Sequence, residues 1–453
     1  MRENKQSITY KVGVISLGCD KNRVDTENMM TYLLESGHYV FTGDPSDADV
    51  IIINTCSFIQ SARNESKDTI REMIEYRESG KVKCLVVTGC YPQKYVQDLI
   101  TNFPQVDIFL GTNEYRNVAE IILDFLEGES TEQIIKNDSQ YCLDAVEKGR
   151  LITTPSYTAY LRIADGCDNF CSYCTIPYIR GRYRSRDFNS VIEEAKDLVN
   201  HGVRELIIVA QDITKYGIDN YGQYRLPELL HELGKIRNLK WIRLLYCYPE
   251  NITPELIKEI RTNKKICKYI DVPFQHVSDG VLKAMNRHIT GADVKRIVEN
   301  LIDGVPGIAI RSTFIIGFPG ETKENFKELV NFIKTYKLPN VGFFTYSRED
   351  GTVSARFPDQ IDETTKKRRL LMAARAQKKV VLGFNKSLIG EPMQVLLEGF
   401  DDKKGLYYGR TEYQAPDVDT VVYFSSDNEL KIGEFYECII VKAKGYDLFG
   451  ITV

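Results

Sequence analysis

The sequence has no apolar run near the ~20 residues that crossing a bilayer requires. Its opening, MRENKQSITY, has no apolar core of the secretory type. No membrane span is expected, and the mature chain is expected to begin near Met1 and to work in the cytoplasm. An excess of positive charge is also lacking: 59 Lys and Arg stand against 63 Asp and Glu, a net charge of −4. The molecule as a whole is therefore not built to grip nucleic acid by charge alone, although a local patch is not excluded. There is no repeat of solenoid type and no low-complexity tract. What is present is ordinary globular material, 43% hydrophobic and 27% charged over 453 residues. At roughly 150 residues per domain, that length suggests about three domains.

Eleven cysteines is an odd number. In a long chain without an export signal they read as thiols or metal ligands rather than disulfides.

The pattern along the chain is α/β. KVGVISL (11–17), DVIIIN (49–54) and CLVVTG (84–89) are short, apolar and largely β-branched, as suits strands buried on both faces of a parallel sheet. Helical segments at 25–35 and 59–76 lie between them and give an N-terminal parallel α/β domain over residues 1–150. Six further strand candidates, AYLRIA, ELIIVA, WIRLLY, YIDVPF, IRSTFIIG and VGFFTY, alternate with helical stretches between Ala159 and Tyr346. This predicts a partial (β/α)6 barrel, which with a basic helix over 362–386 fills residues 155–385. That helix reads as a solvated connector started near Asp362. The alternating segments QVLLEGF, GLYYGRT, DTVVYFSS and FYECIIVKA then predict a small antiparallel β-barrel of about five strands in residues 386–453.

The strongest local signal is GCDNFCSYC, which spaces Cys167, Cys171 and Cys174 as CxxxCxxC just after the first barrel strand. Three thiolates in one loop can hold three irons of a 4Fe-4S cube and leave the fourth open. An open iron can bind the amino and carboxylate groups of S-adenosylmethionine (SAM), where a cluster electron can release a 5′-deoxyadenosyl radical. A structural zinc site would want four ligands, commonly two CxxC-like pairs, and there is no second pair. Cys19, Cys56 and Cys90 each follow one of the first three N-terminal strands. Carboxyl ends of parallel strands share one edge, so the three converge where α/β folds bind ligands. A second three-thiolate cluster is expected there. Cys84, Cys142, Cys247, Cys267 and Cys438 form no usable spacing and read as packed thiols.

SLGCDKNRVDTE, NTCSF, TGCYPQ and GCDNFCSYCTIPYIRGRYRSR together resemble the radical SAM methylthiotransferases, and the resemblance extends over nearly the whole chain, including a C-terminal TRAM-like barrel. The family has two main branches, one modifying adenosine in tRNA and one modifying an aspartate of small-subunit ribosomal protein twelve. SLGCDKN, QDITKYG, DVPFQHVSDGVLKAMNR and GYDLFG resemble the protein-modifying branch, while IRGRYRSR is nearer the tRNA pattern. The resemblance implies two 4Fe-4S clusters. The one at Cys167, Cys171 and Cys174 would cleave SAM so that its radical takes a hydrogen from the aspartate β-carbon. The one at Cys19, Cys56 and Cys90 would present a sulfur species methylated by a second SAM. It also implies a basic ribosomal protein as substrate and an external electron donor.

Tyr173 resembles the aromatic beside the adenine in related enzymes. Gln211 and Asp212 follow the second barrel strand and are expected at the cofactor, as are Gly317, Gly320 and Glu321 of GFPGE after the fifth. Arg180, Arg182, Arg184 and Arg186 alternate, either to hold a carboxylate or as a solvated strand face. His276 reads as a satisfied core or loop histidine.

The segment Ser387–Val453 carries six Lys and Arg against twelve Asp and Glu, a net −6. A barrel meant to hold a phosphate backbone should be basic. An acidic one suits a basic protein. The rival readings are a tRNA methylthiotransferase of the same chemistry and a non-catalytic iron-sulfur protein.

Overall fold

The computed structural model describes residues 9–128, 133–137 and 149–453. Cys142 and most of the polar N-terminal stretch lie outside the described residues. The chain divides into two compact units, one of Met1–Thr153 with Asp165–Asp168 and Cys174–Ser190, the other of Thr154–Ala164, Asn169–Tyr173 and Val191–Val453.

The first unit is a six-stranded parallel sheet of β1 (Tyr10–Ser16), β2 (Tyr39–Thr42), β3 (Val50–Thr55), β4 (Cys84–Gly89), β5 (Ile108–Leu110) and β6 (Ile134–Lys136), in the spatial order β2-β1-β3-β4-β5-β6. Every residue of β3 and β4 is buried, which is why these strands are continuous apolar runs rather than alternating ones. One face of the sheet packs Val12, Ile52 and Val86 against Met29 and Leu33; the other packs Ile51, Ile53 and Val87 against Ile70 and Met73. Helices α1 (Asp20–Glu35), α2 (Gln60–Glu78) and α3 (Cys90–Asn102) follow β1, β3 and β4. The chain leaves β1 toward β2 on one side and returns to place β3 on the other. The carboxyl ends of β1 and β3 thus form the topological switch point, where such sheets bind ligands.

The second unit contains a six-stranded parallel sheet in which Thr158–Arg162, Glu205–Val209, Trp241–Leu244, Ile266–Asp271, Ala309–Ile316 and Asn340–Thr345 lie side by side in chain order. It is the open (β/α)6 arrangement that the sequence pattern predicts. The helix Glu363–Ser387 begins where expected, with the Asp362 carboxylate accepting from the Thr365 N–H at 2.9 Å. Beyond it, Pro392–Asp401, Leu406–Arg410, Val422–Ser425, Phe435–Lys444 and Asp447–Thr452 close a five-stranded barrel. Four of its pairings are antiparallel, and the third and fifth strands pair parallel to complete the closure.

A buried ion network joins the open sheet to the closed barrel within this unit. Glu205, at the start of its strand, receives Arg243 Nε at 2.8 Å and Arg410 Nη2 at 2.6 Å, and Arg410 Nε also donates to Glu398 at 2.8 Å. Burial opposes ionisation of Glu205, but the two guanidiniums outweigh it and hold the carboxyl at about 2.

Candidate functional site

In the first unit the three strand-end cysteines gather around Asn22. Cys19 is the residue before α1, Cys56 follows β3, and Cys90 opens α3. Asn22 Nδ2 donates to Leu17 O at 3.1 Å and Thr55 O at 3.0 Å, tying the end of β1 to the end of β3. Its Oδ1 lies 3.4 Å from Cys90 Sγ. The approach is so close that a Cβ added at Gly18 would stand 3.0 Å from Cys56 Sγ. Gly89 sets the β4-to-α3 turn at φ 98°, where a Cβ would strike Asn54 Oδ1 at 2.2 Å. Cys19 is exposed, whereas Cys56 and Cys90 are buried. Burial pushes the Cys90 thiol up to about 12 and raises Cys56, and the neighbouring thiols raise both further.

Arg180 supplies the opposing charge. It ends the short helix Ile176–Arg180 and is 2% exposed. Nη1 pairs with Asp25 at 2.6 Å and Asp165 at 3.4 Å; Nη2 donates to Asn22 Oδ1 at 2.7 Å and approaches Cys90 Sγ at 3.6 Å. The four arginines of this stretch therefore do not share one face. Arg182 is largely exposed and pairs with Asp168 at 3.0 Å, Arg184 donates to Arg180 O at 2.6 Å, and Arg186 is buried, 3.3 Å from Ser190 Oγ. The carboxylates that Arg180 holds belong to this chain.

Cys167 and Cys174 fall in the same unit. The Cys167 N–H donates to Gly181 O at 3.1 Å, and the Ile176 N–H approaches Cys174 Sγ at 3.5 Å. Cys171 falls in the other unit, where its Sγ lies 3.9 Å from Tyr248 Oη and 4.0 Å from Arg287 Nη1. Arg287 is itself buried, lies 4.1 Å over the Tyr248 ring and donates to Pro273 O at 2.8 Å. Each three-cysteine set thus has one buried guanidinium beside a sulfur, Arg180 at Cys90 and Arg287 at Cys171. Neither arginine is marked by spacing alone.

The residues expected at SAM are brought together only in part. Tyr173 packs edge-on against Phe318, ring centres 6.4 Å apart, and so meets the GFPGE turn. Gln211 is half-buried. Asp212 is fully buried and accepts from Thr214 N–H at 3.0 Å, Thr214 Oγ1 at 2.5 Å and Asn169 Nδ2 at 3.3 Å, and burial raises its pKa. Glu321 is turned inward as well. Its carboxylate accepts from the Gly317 N–H at 2.9 Å, pairs with Arg369 of the basic helix, and lies 3.5 Å from the fully buried His276. Both carboxylates are engaged by their own chain. Gly317 and Gly320 adopt φ of 73° and 80° and form the turn.

Among the described residues, no three Cys, His, Asp or Glu side chains close on a single metal-ion position. A four-iron cube does not need that, because each thiolate takes a different iron. The donor set at the switch point fits such a cube: three thiols, with a guanidinium in place to offset thiolate charge. Cys84, Cys247, Cys267 and Cys438 are buried away from any such arrangement.

Comparison with known proteins finds three family matches along the chain. Residues 11–111 match the family model described as uncharacterized protein family UPF0004, residues 161–333 the radical SAM superfamily, and residues 389–453 the TRAM domain. The ribosomal protein uS12 methylthiotransferase RimO of Clostridium perfringens (strain 13 / Type A) is 48% identical over 443 residues, 98% of each chain. That of Desulforamulus reducens is 46% identical over 440 residues, 97% of this chain and 98% of that one. Among solved structures, the radical SAM methyltransferase TsrM of Kitasatospora setae, with cobalamin and a [4Fe-4S] cluster bound, gives a TM-score of 0.56 at 16% identity over 75% of both chains, a likeness of fold alone. From near-full-length identity to these relatives, the chain belongs to the ribosomal protein uS12 methylthiotransferase family of radical SAM enzymes.

Proposed function

We propose that this chain adds a methylthio group to the β-carbon of an aspartate in small-subunit ribosomal protein uS12. Cys167, Cys171 and Cys174 would hold one 4Fe-4S cluster, and Cys19, Cys56 and Cys90 the other. The observation that carries the reading is the gathering of three thiols at the switch point of the first sheet around Asn22 and Arg180. When bound, the clusters and SAM supply the electron, the hydrogen-abstracting radical, the sulfur and the methyl group.

The chain's own residues do the rest. An aspartate methylene is too weakly acidic for a general base near neutral pH, and the residues at hand are arranged accordingly: Asp212, Glu321 and His276 are buried against partners rather than offered as bases. Arg180 places fixed positive charge beside Cys90 and offsets part of the burial penalty on the thiolate that coordinates iron, and Arg287 lies beside Cys171. Tyr173 offers an aromatic surface beside the GFPGE turn, where the adenine of SAM would lie. Cys19, the exposed thiol, is the ligand nearest solvent and the natural point of entry for iron and sulfur.

The acidic C-terminal barrel supports a basic protein substrate over tRNA, with attraction that weakens as salt rises. No helix among the described residues is long and apolar enough to cross a membrane, and a cytoplasmic setting with an external reductant completes the reading. The test is reconstituted enzyme, SAM and reductant offered purified uS12 and tRNA separately. A mass gain of one methylthio group on uS12 alone is expected. Modification of tRNA alone would overturn the assignment, and failure to release 5′-deoxyadenosine with either would leave a non-catalytic iron-sulfur protein.

A further inference from the structure

The helix Glu363–Ser387 has two kinds of cation. Those facing inward are used by the fold: Lys366 Nζ donates to Tyr346 O at 2.9 Å and to Glu363 at 2.8 Å, and Arg369 pairs with Glu321. Lys367, Arg368, Arg375, Lys378, Lys379 and Lys386 are all exposed, and among the described residues none makes an ion pair. No Asp or Glu occurs between Thr364 and Gly390. At 1.5 Å per residue, Lys367 to Lys386 is a basic stripe of roughly 28 Å. Leu371 and Met372 lie within it, 58% and 46% exposed. The other face of the helix is fixed by Gln377 to Leu338 O and by Asn385 to Tyr446 O, each at 2.9 Å, so the stripe cannot rotate inward.

A solvated helix face ordinarily mixes the two signs. This one carries a single sign in a chain of net charge −4, directly before a barrel segment of −6. We propose that the stripe docks on the phosphate backbone of RNA, so that the enzyme engages its protein substrate in a ribonucleoprotein setting. The inference rests on a ribosomal protein being the substrate. A basic protein lying on RNA presents both signs of charge, and this unit presents the complement of both. An anionic membrane is the weaker fit, because a helix that inserts in an interface needs a continuous apolar face, and here that face is already buried in the fold.

The test uses the full chain and a variant with Arg375→Gln, Lys378→Gln, Lys379→Gln and Lys386→Gln, all at surface positions where substitutions leave the fold intact. Binding of a fluorescein-labelled oligouridine is read by anisotropy between about 50 and about 200 mM salt. The wild type is expected to bind with a salt slope that the variant reduces by about 0.7 for each phosphate it no longer neutralises. No binding by the wild type, or equal slopes for the two proteins, would overturn the proposal. Tighter, equally variant-sensitive binding to phosphatidylserine vesicles or to polyglutamate would overturn it in favour of a membrane or an acidic protein. Methylthiolation of free uS12 is measured alongside. If neither protein performs it on free uS12 or on uS12 in assembled small subunits offered in parallel, the substrate reading fails, independently of what the anisotropy shows.

Discussion

Arg180 Nη2 lies 3.6 Å from Cys90 Sγ while Nη1 of the same guanidinium is held by Asp25 at 2.6 Å. The arginine is thereby a fixed donor to a sulfur expected to carry iron. Hydrogen bonds to cluster sulfurs are among the levers that set reduction potential. In a Cys171→Ala background, where only the N-terminal cluster should assemble, Arg180→Gln is expected to lower that cluster's midpoint potential, measured by dye-mediated titration. Arg180→Gln also removes the buried guanidinium that pairs with Asp25 and Asp165, at a cost of about 3–5 kcal/mol in urea melts. Arg180→Lys keeps the charge but loses the fork, and should fall between.

Iron content separates the two sites. Anaerobically reconstituted wild type should hold about eight irons, and Cys19→Ala and Cys171→Ala about four each. A value near four in the wild type, unchanged by Cys19→Ala, would remove the N-terminal site.

Glu205 gives a pH-dependent prediction. Its carboxyl is held at about 2 against an ordinary 4.5, so its stabilisation is complete above about pH 4.5 and lost as pH falls toward about 2. The gap corresponds to about 3 kcal/mol. Glu205→Gln should therefore be destabilised by that order near neutral pH, with the difference from wild type shrinking as the medium is acidified below about pH 4. Removing Arg410 instead leaves Glu205 with Arg243 alone and takes the guanidinium from Glu398 as well, and should cost a similar amount.

The GFPGE turn is tested by a pair of substitutions. Gly317→Ala meets both a left-handed φ of 73° and a Lys366 Cγ 2.4 Å from the new Cβ, whereas Gly320→Ala, at φ 80°, meets nothing within 4 Å. Gly320→Ala should cost about 1–2 kcal/mol of strain alone. Gly317→Ala should cost more, because it also displaces Lys366 from its hydrogen bond to Tyr346 O. Thermal melts of the two variants check the order.

The long buried strands are legible in the sequence because burial on both faces forces continuous apolar runs. VIIINT and CLVVTG are six residues each and rich in β-branched side chains, which favours strand over helix. The strands that the pattern does not reveal are short or at an edge: Tyr39–Thr42, Ile108–Leu110 and Ile134–Lys136 offer too few residues for any period to show. Asp447–Thr452 forms a hairpin with the strand before it and also pairs with Val422–Ser425, but its six residues, DLFGIT, set Leu448 and Phe449 side by side and show no alternation. The placement of Cys19, Cys56 and Cys90 after successive strands can be read since strand ends are countable. Asn22, Arg180, Tyr248 and Arg287 cannot, as their role comes from tertiary approach. Arg180 is obscured by three neighbouring arginines that look alike in sequence and differ in burial. The inward turn of Asp212 and Glu321 is equally invisible, because a carboxylate at a strand end looks the same whether it faces a ligand or its own chain.

The depth ordering of the three switch-point thiols has a chemical corollary. Cys19 stands in water while Cys90 sits behind Asn22 and Arg180. An alkylating reagent will therefore tag the chain from the outside inward, so the ratio of label at Cys19 to label at Cys90 gauges how far the packing around Asn22 and Arg180 has loosened. Oxidative damage should follow the same gradient, making the outermost sulfur the first casualty and the innermost the last to lose its capacity for repair.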